Sequence, residues 1–163
     1  NTGRRTATTY SALSAFFPAV LALSGDLDRA KRLQESSFRM WNLYGIEPEA
    51  INYRTMKVEA EGYHLRPEIV ESTYYLFHVT GDPAYQAMGR TLFDDFVKAC
   101  RTDAGYASLS NVITKAQADE MPTYALAETF KYFYLLFALP STLDFDAVVF
   151  NTEAHPLRRD FQP

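Results

Sequence analysis

Two corners built alike do most to restrict what this chain can fold into. Gly25-Asp26 separates apolar-periodic stretches at 9–24 and 27–44, and Gly81-Asp82-Pro83 separates PEIVESTYYLFHVT, which starts at Pro67, from PAYQAMGRTLFDDFVKAC, which ends at Cys100. At each corner an aspartate is placed to cap the next helix, and Pro83 suits a first helical position. The apolar residues follow helical spacing: Leu27, Ala30, Phe38, Trp41 and Tyr44 share one side, and Met88, Leu92, Phe96 and Cys100 share another. Helical hairpins therefore recur about every 56 residues, slightly above the usual solenoid periods. A fifth helix is expected over 122–137. The connections 45–65, 101–121 and 138–150 are long, and GYASLSNVI and DAVVFNT alternate enough to be short strands. Periodicity alone leaves two arrangements of such pairs, a closed α/α barrel and an open solenoid.

Composition narrows the function classes. With 163 residues and 47% hydrophobic content the chain can bury one sizeable core. Its 16 Lys and Arg are scattered among 20 Asp and Glu, for a net charge of -4, without the basic stripe that nucleic acid requires. No apolar run is long enough for a membrane span, since YALAETFKYFYLLFAL holds Glu128 and Lys131. Cys100 is alone, so no internal disulfide forms. Asn1 opens the chain with neither an initiator Met nor a signal peptide, so the expectation is a piece of a longer protein, and the lack of an N-glycosylation sequon favours a non-glycosylated or bacterial origin. The 11 Tyr and 12 Phe supply core area and also rings that stack on sugar faces.

Three stretches carry chemistry. In LRPEIVES, Arg66 precedes Pro67, with Glu68 in the first helical turn and Glu71 at i+3 on the same face. The acids can simply favour the helix N-terminus, with Arg66 paired to one of them, or form a general base held by Arg66. Glu128 has Leu126, Phe130, Phe133, Tyr134, Leu136 and Phe137 around it, so it is expected to be buried. Its partner is either Lys131 at i+3, or a sugar hydroxyl or metal-bound water. FNTEAHP, at 150–156, reads as a polar C-terminal turn or as a hard-cation site in which Thr152 offers a carbonyl and a hydroxyl and Glu153 assists. His64, His78 and His155 lack the spacing of a zinc pair, and no phosphate loop or nucleophile elbow occurs.

In order along the chain, SALSAFFPAVLALSGD, LRPEIVESTYYLFHVTGDPAY, GYASLSNVI, LAETFKYFYLLF and VVFNTEAHPL resemble glycoside hydrolase family 47, the class I α-1,2-mannosidases. The wording is nearest to the degradation-enhancing mannosidase-like branch and to bacterial members. The resemblance implies an all-α fold of antiparallel helical hairpins, part of an (α/α)7 barrel, with short strands and a C-terminal β-hairpin entering the barrel floor. Residues 1–163 would form the C-terminal part of that single domain. It implies calcium-dependent, inverting hydrolysis of α-1,2-linked mannose. Glu68 falls on the general base, Arg66, Glu71, Tyr124, Glu128 and Glu153 on the sugar and water-binding set, and Thr152 on the direct calcium ligand. The chain departs from the family's pattern at Met121-Pro122-Thr123-Tyr124, at Ala15, where a disulfide cysteine is common, and at Ala19, where glycine is usual.

The family's general acid belongs to an upstream half of the barrel, so the expected partners are that half and a mannose-rich glycan or glycoprotein. The resemblance places such a protein in the secretory pathway, outside the cell or in the periplasm. A glycan-binding protein with weak turnover is the second reading, and a helical interaction scaffold the third.

Overall fold

Asp26 accepts from the backbone N–H of Arg29 at 3.3 Å, and Asp82 accepts from that of Ala84 at 2.9 Å, so both corners cap the helix that follows. The computed structural model describes residues 7–159; the first six and last four residues of the expected 1–163 unit lie outside them. Four helices follow: α1 (Phe17–Leu23), shorter than read, and α2 (Leu27–Tyr44), α3 (Glu68–Thr80) and α4 (Ala84–Cys100), close to the bounds read from the sequence. Pro67 and Pro83 sit one residue before the helices, at the caps. Gly45 and Gly81 end α2 and α3 at φ +64° and +67°, a left-handed conformation that strains residues with a β-carbon. Helix α5 (Phe130–Phe137) follows a wide π-helical turn at Ala125–Thr129.

The stretch 9–24 is not one helix. Thr9–Ser11 is strand β1, Ala12–Phe16 is a 3₁₀ turn, and only the rest is α-helical. The reason is distant in sequence: β1 pairs with β2 (Ala50–Asn52) in the register Thr9↔Asn52 and Ser11↔Ala50, and β2 pairs with β3 (Lys57–Ala60). Connection 45–65 thus holds two strands. The two sequence-predicted strands are present as β4 (Leu109–Asn111), paired with β5 (Ala116–Gln117), and β6 (Val148–Phe150), paired with β7 (Pro156–Arg158) as a C-terminal hairpin.

Helix α3 is the centre of the packing and touches α1, α2, α4 and α5. Ile69, Val70, Ser72, Thr73, Tyr74, Tyr75 and Leu76 are all buried, which no amphipathic surface helix would allow. Leu92, Phe96 and Cys100 of α4 are fully buried on their shared face. In α2, Ala30 and Trp41 are buried, while Leu27, Phe38 and Tyr44 are half-buried. Burial pushes the Cys100 thiol up to about 12, far from a nucleophile's range.

The C-terminal hairpin docks through rings. Phe150 meets Tyr74, Tyr75 and Tyr132 with centroids 5.7 to 6.2 Å apart, edge to face, and Phe145 meets the same two α3 tyrosines. Ala154 in its turn is 1% exposed, and its carbonyl accepts from Nζ of Lys131 at 2.7 Å. The aromatic surplus therefore serves packing between α3, α5 and the hairpin.

Candidate active site

The site is assembled where α3 begins. Leu65 is fully buried with φ +56°, a left-handed conformation costly for a branched side chain. Neighbouring contacts hold this turn in place. Thr129 Oγ1 donates to the Leu65 carbonyl at 2.6 Å, Tyr124 Oη to the His64 carbonyl at 2.7 Å, and Tyr63 Oη to the Arg66 carbonyl at 3.3 Å. Two of these donors flank or belong to the π-helical turn, so α5's wide first turn fixes the approach to α3.

Arg66 does not pair with Glu68 or Glu71, the partners expected from the sequence. Its Nε donates to both oxygens of Glu49, at 3.0 and 3.2 Å, and its Nη2 donates to Oε2 at 3.0 Å. Glu49 also accepts from the His64 backbone N–H at 3.2 Å. The guanidinium fork matches a carboxylate edge on, which the first turn of the same chain segment cannot present. Arg66 also lies over the ring of Tyr124, 5.7 Å from its centroid. The sequence reading missed Glu49 and Glu47. Both stand in IEPEAI, among apolar residues, and that company is the signal that singled out Glu128.

Burial pushes the Glu68 carboxyl up, against its own backbone N–H and the charge of Arg66, and its Oε2 is buried without a hydrogen-bond partner. Glu71 is pushed up to about 7, by burial first and then by the charges of Glu68 and Glu128, although Tyr132 Oη donates to it at 3.2 Å. Glu128 is also pushed up to about 7, by burial and then by Glu153 and Glu68, with Lys131 opposing. Four acids called from the sequence thus share one electrostatic neighbourhood.

Two expectations need correction. Glu128 is half-buried, because Leu126 and Tyr134 beside it are 66% and 64% exposed and one flank of its helix is open. Lys131 takes the Ala154 carbonyl and forms no ion pair with Glu128. The hairpin runs inward at Phe150 and Ala154, but Thr152 and Glu153 at its tip are exposed. Asn151 Oδ1 accepts from the backbone N–H groups of Glu153 and His155, at 3.0 and 2.9 Å, which shapes the turn and leaves the Thr152 hydroxyl outside it.

The available donors are all oxygen: the Thr152 carbonyl and hydroxyl, with carboxylates at Glu68, Glu71, Glu128 and Glu153. That chemistry suits a hard cation such as calcium and not zinc. Among the described residues no group of three His, Cys, Asp or Glu side chains could hold a metal directly. A site with one threonine as its direct protein ligand and acids reached through water needs none.

Antiparallel helical hairpins with acids gathered at one end define part of an (α/α)-barrel protein. The chain belongs to glycosyl hydrolase family 47, whose profile matches residues 1–159. It is 40% identical over 148 residues to the human ER degradation-enhancing alpha-mannosidase-like protein 3, covering 90% of this chain and 16% of that protein. It is 39% identical over 161 residues to a mannosyl-oligosaccharide 1,2-alpha-mannosidase of Arabidopsis thaliana, covering 90% of this chain and 29% of the relative. The structure superposes on the alpha-1,2-mannosidase from Trichoderma reesei with a TM-score of 0.86 and 28% identity, over 97% of this chain and 40% of that one. The chain therefore spans well under half the length of these relatives.

Proposed function

We propose that this chain is the C-terminal part of an (α/α)-barrel glycosidase domain and supplies the base side of an inverting α-1,2-mannosidase. The observation that supports it best is the cluster itself: Glu71 and Glu128, each raised to about 7, share charge with Glu68 at the start of α3. A carboxylate raised by burial holds a proton more strongly, so Glu68 is a better base toward water than an exposed glutamate. Glu68 takes the proton of the attacking water. Arg66, fixed by Glu49, and Tyr124 form a charged and aromatic wall for the sugar; Glu71, Glu128 and Glu153 accept from its hydroxyls or from ordered water.

Thr152 would hold calcium through its carbonyl and hydroxyl, with the four acids accepting from water around the ion. When bound, the ion supplies fixed positive charge that orients vicinal sugar hydroxyls. Inversion also needs a general acid across the glycosidic bond, with the two carboxyl groups roughly 6.5 to 9.5 Å apart. We assign that acid to the upstream half of the barrel. The substrate class is a mannose-rich oligosaccharide or glycoprotein. A secretory-pathway location agrees with the relatives' names, which place them in ER degradation.

The test is to incubate the complete barrel, and residues 1–163 alone, with α-1,2-linked mannobiose and calcium. Release of β-mannose by the barrel, abolished by a chelator and absent for the isolated chain, is expected. Release by the isolated chain would overturn the division of acid and base. Binding without release by the complete barrel would favour the glycan-binding reading.

A further inference from the structure

Glu47 is the most deeply buried acid among the described residues, at 1% exposure, and neither of its carboxylate oxygens has a hydrogen-bond partner. It precedes Pro48 in the turn between α2 and β2, and the site described above makes no use of it. A buried carboxylate left unpaired costs several kcal/mol, so a native chain retains one only in the neutral form or for a purpose. Burial, followed by the charges of Glu68 and Glu49 and opposed by Arg66, drives Glu47 well above the ordinary carboxyl range. The neutral acid carries one O–H donor.

The groups around it leave that donor a clear destination. Tyr10 of β1 and Tyr63 both sense the charges of Glu47 and Glu68, so the two carboxyls share one region. Tyr10 Oη pairs with Ser37 Oγ at 2.7 Å, and Tyr63 Oη donates to the Arg66 carbonyl. Arg66 turns Nε and Nη2 to Glu49. Oε2 of Glu68 is buried there and has no partner.

We propose that Glu47 is a positioning residue: a buried carboxylic acid that donates its proton to Oε2 of Glu68, anchoring that oxygen inside and leaving Oε1 to face the reacting water. The inference rests on the reading of Glu68 as the general base. The two carboxyls then hold one proton and one negative charge between them, which avoids a doubly ionised buried pair. A hydrogen bond donated to the charged form favours ionisation, so Glu47 keeps Glu68 ionised to lower pH than its burial alone would allow. It also fixes the rotation of the carboxylate, on which attack geometry depends.

The experiment uses the complete barrel. Glu47→Leu removes the donor and should lower kcat about tenfold with KM changed less than about twofold, and should move the acid limb of the kcat/KM profile to higher pH. Glu47→Gln keeps the shape and an N–H donor, and should recover most of that loss. An unmoved acid limb in the Leu variant, or a Gln variant as impaired as Leu, overturns the proposal. A second measurement does not need turnover. The infrared difference spectrum of wild type against Glu47→Gln at neutral pH should contain the carbonyl band of a protonated carboxylic acid, and that band should shift in the Glu68→Gln background. Absence of the band, or a band indifferent to Glu68, overturns the contact even if Glu47→Leu does not fold. A normal, shifting band in a barrel that releases no mannose upholds the contact and rejects the mannosidase reading instead.

Discussion

The middle of α3 and its first turn are buried in the same core, yet they treat polar groups in opposite ways. In the middle, Ser72 Oγ donates to the Ala15 carbonyl at 2.5 Å and accepts from the Ala19 N–H at 3.2 Å, and Thr73 Oγ1 accepts from Gln34 at 2.8 Å while donating to the Ile69 carbonyl. Only Gln34 Oε1 is left over there. At the first turn, Glu68 keeps a buried oxygen without a partner and Glu71 is raised to about 7, and Glu47, in the turn after α2, is buried with both oxygens unpartnered. Buried polar groups that hold a fold together are mostly satisfied, whereas acids kept for chemistry are left short of donors, because an acid already fully hydrogen-bonded is a weak base.

Four changes would break or sharpen that contrast. The largest effect is expected from Glu68→Gln, which keeps the side chain's size but removes the base. In the complete barrel it should cut kcat by about two to four orders of magnitude with mannose binding nearly unchanged. Equal turnover by the variant would show that the under-satisfied end of α3 is not the base.

Thr152→Ala comes next. Thr152 is exposed and adjoins Glu153 in the hairpin turn, whereas Thr142 lies in the separate Pro140–Thr142 turn. Calorimetry on the complete barrel should find calcium affinity weakened about 10- to 100-fold in Thr152→Ala, with little change in Thr142→Ala. Matching affinities for both variants would remove Thr152 from the metal site.

Ser72→Ala tests the satisfied end. Losing this hydroxyl leaves the Ala15 carbonyl and Ala19 N–H without their partner in the core, at a cost of about 1 to 3 kcal/mol. Urea unfolding should show that loss while the kcat of folded protein stays level. A drop in kcat without a drop in stability would reverse the roles of the two ends.

The last change concerns pH and leaves turnover aside. Glu71 is raised in the folded chain from 4.5 to about 7, so its contribution to stability is complete below pH 4.5 and lost as pH rises through 7. Glu71→Gln cannot ionise and should flatten this part of the stability curve, becoming less destabilised relative to wild type as pH rises from 5 to 8. An unchanged slope in denaturant midpoints across that range would mean that Glu71 is not buried as an acid.

The helices were legible because their signals are local. Apolar residues at 3.6-residue spacing and an aspartate before each start need no information from elsewhere. Of the C-terminal hairpin, local alternation showed only the strand at VVF; the hairpin itself followed from the family resemblance, and its second strand, Pro156–Arg158, from the structure. Glu68 and Glu71 stood out as two acids on one face of a helix start. What could not be read there was the partner of Arg66, because Glu49 lies 17 positions away in another element. Local pattern also suggested a helix from residue 9, whereas pairing with β2 made its first residues a strand. Glu128 was read as enclosed because its neighbours in sequence are apolar, but Leu126 and Tyr134 face outward.

By itself, then, the sequence determined the helical hairpins, their corners, and the carboxylates and threonine that could carry glycosidase chemistry. The tertiary structure decided which groups meet, and brought in two acids the sequence reading had missed: Arg66 pairs with Glu49, Lys131 with the hairpin carbonyl, and Glu47 lies within the field of Glu68. The physical reason is range. Helix propensity and capping act within about four residues, whereas desolvation and charge coupling depend on what other segments bring within a few ångströms, and only the packed core sets those distances.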